Sequence, residues 1–170
     1  MPRPVILYVR YVDATNRILG RFMMYFIFVM IGILLFSSGS RTLFSVSHIW
    51  TVEMAQFVMT AYYLLGGGYS MQLDAHVRMD LLYSRWSPRG QALADAITSG
   101  FLIFFLVVLI VGGISSTEYA LTYGQKNYSS WAPPLAPIKI IMTIGIALML
   151  LQVIAVFFKD LARARGEPLA

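Results

Sequence analysis

The sequence contains no cysteine in its 170 residues, and it is poor in charge. The absence of thiols excludes disulfide frameworks, thiolate metal sites, iron–sulfur clusters and cysteine nucleophiles. Only 12% of the residues are charged and 58% are hydrophobic, whereas soluble domains average about 25% charged and about 45–50% apolar. The composition is therefore that of a membrane protein, and the net charge of +5 relates to membrane orientation rather than to nucleic acid.

Four long intervals, 22–40, 54–73, 96–117 and 140–158, contain no charged residue and no histidine. They are 19, 20, 22 and 19 residues long, and about 20 apolar helical residues cross a hydrocarbon core about 30 Å thick. The sequence therefore predicts an all-α integral membrane protein, with four transmembrane helices in a single domain, 1–170. The first interval exceeds the h-region of a signal peptide, about 7–15 residues, so we interpret it as a retained span.

Positive residues are distributed unevenly over the segments that join these intervals. The N-terminal segment, the middle loop and the C-terminal tail together carry ten positive residues, which are Arg3, Arg10, Arg17, Arg21, Arg78, Arg85, Arg89, Lys159, Arg163 and Arg165. The two remaining loops carry three, which are Arg41, Lys126 and Lys139. Because lysine and arginine concentrate on the cytoplasmic side, this count predicts that both termini and the middle loop are cytoplasmic.

Two segments outside the intervals also carry structural signals. Residues 5–21 mix apolar residues with charged ones at a spacing of three to four, which predicts an amphipathic N-terminal helix at the membrane interface. Residues 123–139 contain one glycine and three prolines, so an ordered outer loop is expected there rather than a continuous helix.

The segment "DAHVRMD", 74–80, is the densest cluster of polar side chains. A histidine between two carboxylates suggests a metal or acid–base site, but Arg78 lies within the cluster and no second histidine is near. The favoured interpretation is a charged cytoplasmic cap that ends the second span and pairs internally or with a partner. Haem ligation by the two histidines is excluded, because His48 and His76 are predicted on opposite sides of the membrane.

The absence of ionisable residues from all four intervals is the most informative feature. Intramembrane charges usually mark ion or substrate pathways, so the chain is a poor candidate for carrying a substrate by itself. A nucleophile–base pair for membrane catalysis is missing for the same reason. A non-enzymatic membrane subunit that supports another protein is the leading class, and a redox-enzyme anchor or a free-standing tetraspan structural protein are the alternatives.

Four segments, in this order, resemble the small membrane subunit (DctQ-like small permease) of tripartite ATP-independent periplasmic (TRAP) transporters. They are "SRTLF", "IWTVEMAQF", "DAHVRMDLLYSRWSPRGQ" and "WAPPLAPIKIIMTIGIALMLLQ". Each motif alone is weak, but their order on a four-span chain makes the similarity specific.

The resemblance implies a secondary transporter in a bacterial inner membrane. In that family a periplasmic substrate-binding protein delivers an organic anion, usually a carboxylate, to a large membrane subunit that moves it with a sodium gradient. The small subunit would bind no cofactor, with sodium ions on the large subunit, and would act as a scaffold in the lipid bilayer. The residues that the resemblance marks as structural or partner contacts are Arg41, Trp50, Glu53, His76, Asp80 and Lys139.

Overall fold

The computed structural model describes residues 3–73 and 87–164, and five helices account for most of them. The helices are α1 (Arg3–Met24), α2 (Phe26–Phe44), α3 (Ile49–Gln72), α4 (Pro88–Thr122) and α5 (Ala136–Ala164). In the described ranges there is no β-strand, only an isolated bridge in the α4–α5 loop. The predicted all-α class is therefore confirmed.

α1 and α2 form a nearly continuous rod, because only Tyr25 separates them and its backbone is itself right-handed helical. The Tyr25 N–H donates to the Phe22 carbonyl at 3.2 Å, and the Phe28 N–H donates to the Tyr25 carbonyl at 3.1 Å. At about 1.5 Å per residue, the 42 residues of Arg3–Phe44 extend about 63 Å, which is twice the hydrocarbon thickness. Part of this rod must therefore lie outside the hydrocarbon of a membrane that it crosses.

The chain reverses direction at the α2–α3 turn and at the α4–α5 loop, and local sequence explains several helix ends. α2 ends at Ser45, which adopts a left-handed conformation with φ of 55°, a frequent way to stop a helix. α4 begins after Ser87, whose hydroxyl accepts a hydrogen bond from the Gly90 N–H at 3.3 Å, with Pro88 in the first turn. Both are favoured start signals, because serine satisfies a free N–H and proline has none to satisfy.

α5 is the central helix, in contact with α1, α3 and α4, while α3 also contacts α1 and α2. The apolar core lies between α4 and α5, where Leu106, Ile146 and Val153 are buried. α2 has no buried residue and lies at the edge of the bundle. The α2–α3 turn and the α4–α5 loop lie at one end of the bundle, which we call the loop end.

Glycines permit the closest helix contacts, as close backbone approach requires. A Cβ on Gly145 would lie 2.8 Å from the Cβ of Leu64, and a Cβ on Gly67 would lie 2.8 Å from the Met149 sulfur. Gly113 faces Thr143, whereas Gly66 and Gly112 face open space. Gly67 and Gly113 therefore lie at close helix contacts, whereas Gly66 and Gly112 do not.

Three stretches in the described ranges are long and apolar enough to cross a membrane, namely Arg3–Phe44, Ile97–Thr122 and Ala136–Ala162. They contain the first and fourth predicted intervals and nearly all of the third. α3, which contains all but the last residue of the second interval, has 24 residues but is not among these three stretches. Its glutamate, glutamine, tyrosines and three consecutive glycines make it less apolar than the others.

Candidate subunit-interaction site

Arg41 lies in the last turn of α2 at the loop end and is exposed to the surroundings. Its Nη2 donates to the Ser47 hydroxyl at 3.4 Å, across the α2–α3 turn. In the part of the chain that the structure describes, no ion pair joins Arg41 to Glu53. The guanidinium therefore keeps most of its donors available for another molecule.

Trp50 belongs to an aromatic cluster at the same end. The His48 ring stacks on Phe36 with 5.3 Å between centroids, and the Trp50 ring lies 6.1 Å from Phe36 and 6.4 Å from His48. These distances are typical of favourable aromatic pairs. The cluster joins the end of α2 to the first turn of α3, while Trp50 remains 38% exposed.

Two polar side chains are buried in the first turns of α3. The Thr51 hydroxyl lies 2.8 Å from the His48 carbonyl and 2.9 Å from the Ser37 hydroxyl, so it donates to the carbonyl and accepts from the serine. Glu53 is only 7% exposed, and its Oε2 has no hydrogen-bond partner among the described residues. A buried carboxylate oxygen without a partner is costly, so this position is a candidate for a contact that the isolated chain lacks.

Lys139 fastens the α4–α5 loop to the bundle. Its ammonium donates to the Gln125 side-chain oxygen at 2.6 Å and to the Ser116 carbonyl at 3.3 Å. Backbone hydrogen bonds order the loop further. The Asn127 N–H donates to the Pro133 carbonyl at 3.0 Å, and the Leu135 N–H donates to the Gln125 main-chain carbonyl at 2.9 Å. The structure confirms the expected break between α4 and α5 in this proline-rich segment.

His76 and Asp80, the two candidate residues of the middle loop, lie outside the described residues. The predicted contacts of "DAHVRMD" are therefore not placed by the structure. Of the six candidate residues, Arg41, Trp50 and Glu53 lie close together in sequence at the α2–α3 turn, and Lys139 lies at the start of α5. All four belong to the loop end.

A second polar cluster, whose contacts the sequence did not predict, joins α1, α3 and α5 at the opposite end. We call it the polar network, and its members are Asp13, Asn16, Gln72, Gln152 and Lys159. Gln152 is its centre and is fully buried. Its Oε1 accepts from the Asn16 amide at 2.9 Å and from the Gln72 amide at 3.1 Å, and its Nε2 donates to Asp13 Oδ1 at 2.9 Å.

Asp13 connects the network to the charged end of α5. Its Oδ2 lies 2.5 Å from the Lys159 ammonium, and its main-chain carbonyl accepts from the Gln72 amide at 2.9 Å. The two side chains of the ion pair are largely shielded, with 18% of Asp13 and 29% of Lys159 exposed. Each helix of the network thus provides donors or acceptors to the other two, which fixes their relative register.

One indication of this network was present in the sequence. Gln152 is the only amide side chain in the interval 140–158, and an amide in an apolar span generally needs an interhelical partner. Its partner Asn16 lies 136 residues away, in a segment whose polar residues were expected to face water. Sequence spacing alone contained no information on that contact.

The described residues contain no group of three or more histidine or acidic side chains that could hold a metal ion. The network pairs its charges and amides internally, and the loop-end residues fasten turns and loops. The arrangement is suited to holding helices in fixed positions and to presenting a surface to another protein.

Comparison with protein families agrees with this description. The model of the tripartite ATP-independent periplasmic transporters, DctQ component, matches residues 30–163, which include α3, α4 and nearly all of α2 and α5. A comparison with individual curated proteins finds no match. The chain therefore belongs to the DctQ family and is a membrane component of a TRAP transporter, not an enzyme.

Proposed function

We propose that the chain is the scaffold subunit of a TRAP transporter that takes up an organic anion, with a carboxylate as the expected class. In this proposal a periplasmic binding protein delivers the anion, and the large membrane subunit moves it together with sodium. The small subunit holds the large one in place and binds neither the anion nor sodium. The family membership identifies the chain as a component of the transporter, and the proposal adds which task each component performs.

The observation that supports this division is where polar side chains lie. The four intervals that are expected to span the membrane contain no ionisable residue, whereas sites for ions and anionic substrates within membranes usually contain them. The ionised pair Asp13–Lys159 lies where the apolar part of α5 ends, and it is neutralised internally. These four intervals thus offer no charged position to a travelling anion.

The proposed topology has four spans with both termini in the cytoplasm, so that α3 crosses the membrane as well. α3 packs between the α1–α2 rod and α5 along its length, from Thr51 beside Ser37 of α2 to Gln72 beside Asp13 of α1. Its 24 residues extend about 36 Å, enough for a hydrocarbon core of about 30 Å. A helix enclosed in this way crosses the same thickness as its neighbours, which compensates for its lower hydropathy.

In this topology the loop end faces the periplasm, and the polar network faces the cytoplasm. Arg41, Trp50, Glu53 and Lys139 are then the proposed contacts, or supports of contacts, on the periplasmic side. His76 and Asp80 are proposed to contact the large subunit from the cytoplasmic loop. Among these residues Glu53 is the strongest candidate for a direct contact with the large subunit, because one of its buried oxygens has no hydrogen-bond partner among the described residues.

Co-purification with the large subunit tests the proposal. An affinity-tagged chain, expressed with the large subunit of the same transporter, is expected to recover it in near-equal amounts from mild detergent. His76→Ala/Asp80→Ala is expected to lower that recovery, and Glu53→Gln should lower it more than Arg41→Gln. Recovery of the chain alone under conditions that keep it helical would contradict the scaffold assignment.

A further inference from the structure

A crevice of about 470 Å³ opens between the end of α1, the second half of α3 and the middle of α5. Its walls are formed largely by Gly20, Met23, Tyr62, Gly66, Ser70 and Met149. The volume lies within the range of about 300–1,000 Å³ that is typical of small-molecule sites. Because Gly66 has no atom within 4 Å of where its Cβ would lie, the crevice has room for an additional chain of atoms.

Two arginines on α1 adjoin this crevice. Arg17 precedes the lining residues Gly20 and Met24 by three and seven positions, so it shares their helix face one turn closer to the polar network. Arg21 follows Gly20 directly and lies four positions beyond Arg17, close enough for both to approach one anion. Both arginines are exposed, and neither has an ion pair or hydrogen bond in the described part of the chain.

The depth of the arginines places them at a membrane border. Asn16, next to Arg17, packs against Gly68, and Gly20 packs against Tyr69, so this part of α1 lies beside the last turns of α3. The Ser70 hydroxyl lines the crevice at the same level. Ser70 thus lies at the end of the crevice nearest the two arginines, and the other lining residues are methionine, glycine, tyrosine and leucine.

We propose that this crevice binds an anionic phospholipid, with its phosphate between Arg17 and Arg21 and one acyl chain lying along Gly66 towards Met149. Charge complementarity selects this occupant, because the two guanidinium groups carry a charge of about +2 that nothing else in the described chain neutralises. Long arginine side chains reach headgroups from within the membrane border. The bound lipid would fill the gap between α1 and α3 and hold the α1–α2 rod against the bundle.

Lipid retention by the purified chain tests the proposal. The protein is equilibrated in mixed micelles with dioleoylphosphatidylglycerol or dioleoylphosphatidylcholine, and native mass spectrometry measures the bound fraction of each. The chain is expected to retain the anionic lipid in preference to the zwitterionic one. Since each basic residue contributes about fivefold in affinity for an anionic lipid surface, Arg17→Gln/Arg21→Gln should remove most of that preference.

Matched variants separate a defined site from general electrostatic attraction. Arg3→Gln/Arg10→Gln removes the same charge from exposed positions of the same helix and should leave retention unchanged. Gly66→Leu fills the crevice and should lower retention, whereas Gly32→Leu, also at an open glycine, should not. Circular dichroism checks that each variant remains helical.

Three results would overturn the proposal. The first is equal loss of lipid in the two arginine double variants, which would show general attraction to charge. The second is full retention in Gly66→Leu, which would separate the lipid from the crevice. The third is a Gly66→Leu variant that no longer co-purifies with the large subunit but retains lipid as before, which would show that the crevice contacts protein and not lipid. Co-purification by the unaltered chain tests the scaffold function separately, so failure of either proposal is recognisable.

Discussion

Replacing Gln152 by leucine is the sharpest perturbation of the bundle, because this fully buried side chain makes three interhelical contacts in the polar network. Gln152→Leu removes all three while keeping a similar volume. The Asn16 amide then loses its only partner, since Asn16 Oδ1 already has none in the described chain. Asp13 retains Lys159, and Gln72 retains the Asp13 carbonyl.

The expected cost follows from these contacts. Interhelical hydrogen bonds in membrane proteins average about 0.6 kcal/mol, so three contribute about 2 kcal/mol. An orphaned buried amide adds about 1–3 kcal/mol. We therefore expect Gln152→Leu to lower the free energy of unfolding by about 3–5 kcal/mol. The assay is unfolding by SDS in mixed micelles, followed by the loss of helical circular dichroism.

Two further variants make this prediction specific. Gln56→Leu makes the same chemical change at an exposed position of α3 and should alter stability by less than about 0.5 kcal/mol. Asn16→Leu/Gln152→Leu removes both partners of one hydrogen bond, so the two effects should be less than additive by at least about 1 kcal/mol. Equal effects of Gln152→Leu and Gln56→Leu would show that the polar network does not stabilise the bundle.

Three more predictions concern packing, the α4–α5 loop and topology. A Cβ on Gly68 would lie 2.5 Å from the Asn16 Oδ1, whereas Gly66 is open, so Gly68→Ala should destabilise the bundle in the same SDS assay. Gly66→Ala should stabilise it by about 0.5–1 kcal/mol. A Gly68→Ala variant more stable than Gly66→Ala would contradict the α1–α3 contact. Lys139→Met removes a charged hydrogen bond to Gln125 and should speed chymotrypsin cleavage after the exposed Tyr128 at least about tenfold. The control variant Lys126→Met should leave the cleavage rate unchanged. Equal cleavage rates in the two variants would show that Lys139 does not hold the loop against the bundle. Because the chain has no cysteine, the single variants Val46→Cys and Ser87→Cys each introduce one thiol, at opposite ends of α3. A membrane-impermeant maleimide applied to spheroplasts should label Val46→Cys, on the periplasmic side, and should not label Ser87→Cys, on the cytoplasmic side. Labelling of both would show that α3 does not cross.

The sequence predicted the helices well where charge alone determines their position. The interval 140–158 lies within α5, which continues past Lys159 to Ala164, because a charged side chain is unfavourable in hydrocarbon and marks the border of the apolar stretch. The irregular loop between α4 and α5 was equally predictable, because Pro133 and Pro134 lack the N–H that a helix requires. These are local rules that need no knowledge of distant residues.

The position of α1 and the polar network were not predictable in the same way. Residues 5–21 were predicted to form an amphipathic helix at the membrane interface, but Asp13 and Asn16 of this helix face α5 and α3, where other polar groups compensate their burial. Hydrophobic periodicity assumes that polar residues point outwards, and it fails where polar groups satisfy one another. The loop-end candidates could be named from the family resemblance, but the buried state of Glu53 required the three-dimensional packing of α3.

In the proposed division of labour, this chain is required for TRAP transport and contains no transport site of its own. The most direct measurement is uptake of a radiolabelled ligand of the binding protein into proteoliposomes with an inward sodium gradient. Uptake is expected only when the chain, the large subunit and the binding protein are all present, and the chain alone should give none. Uptake by the chain without the large subunit, or full uptake by the large subunit without the chain, would contradict the account.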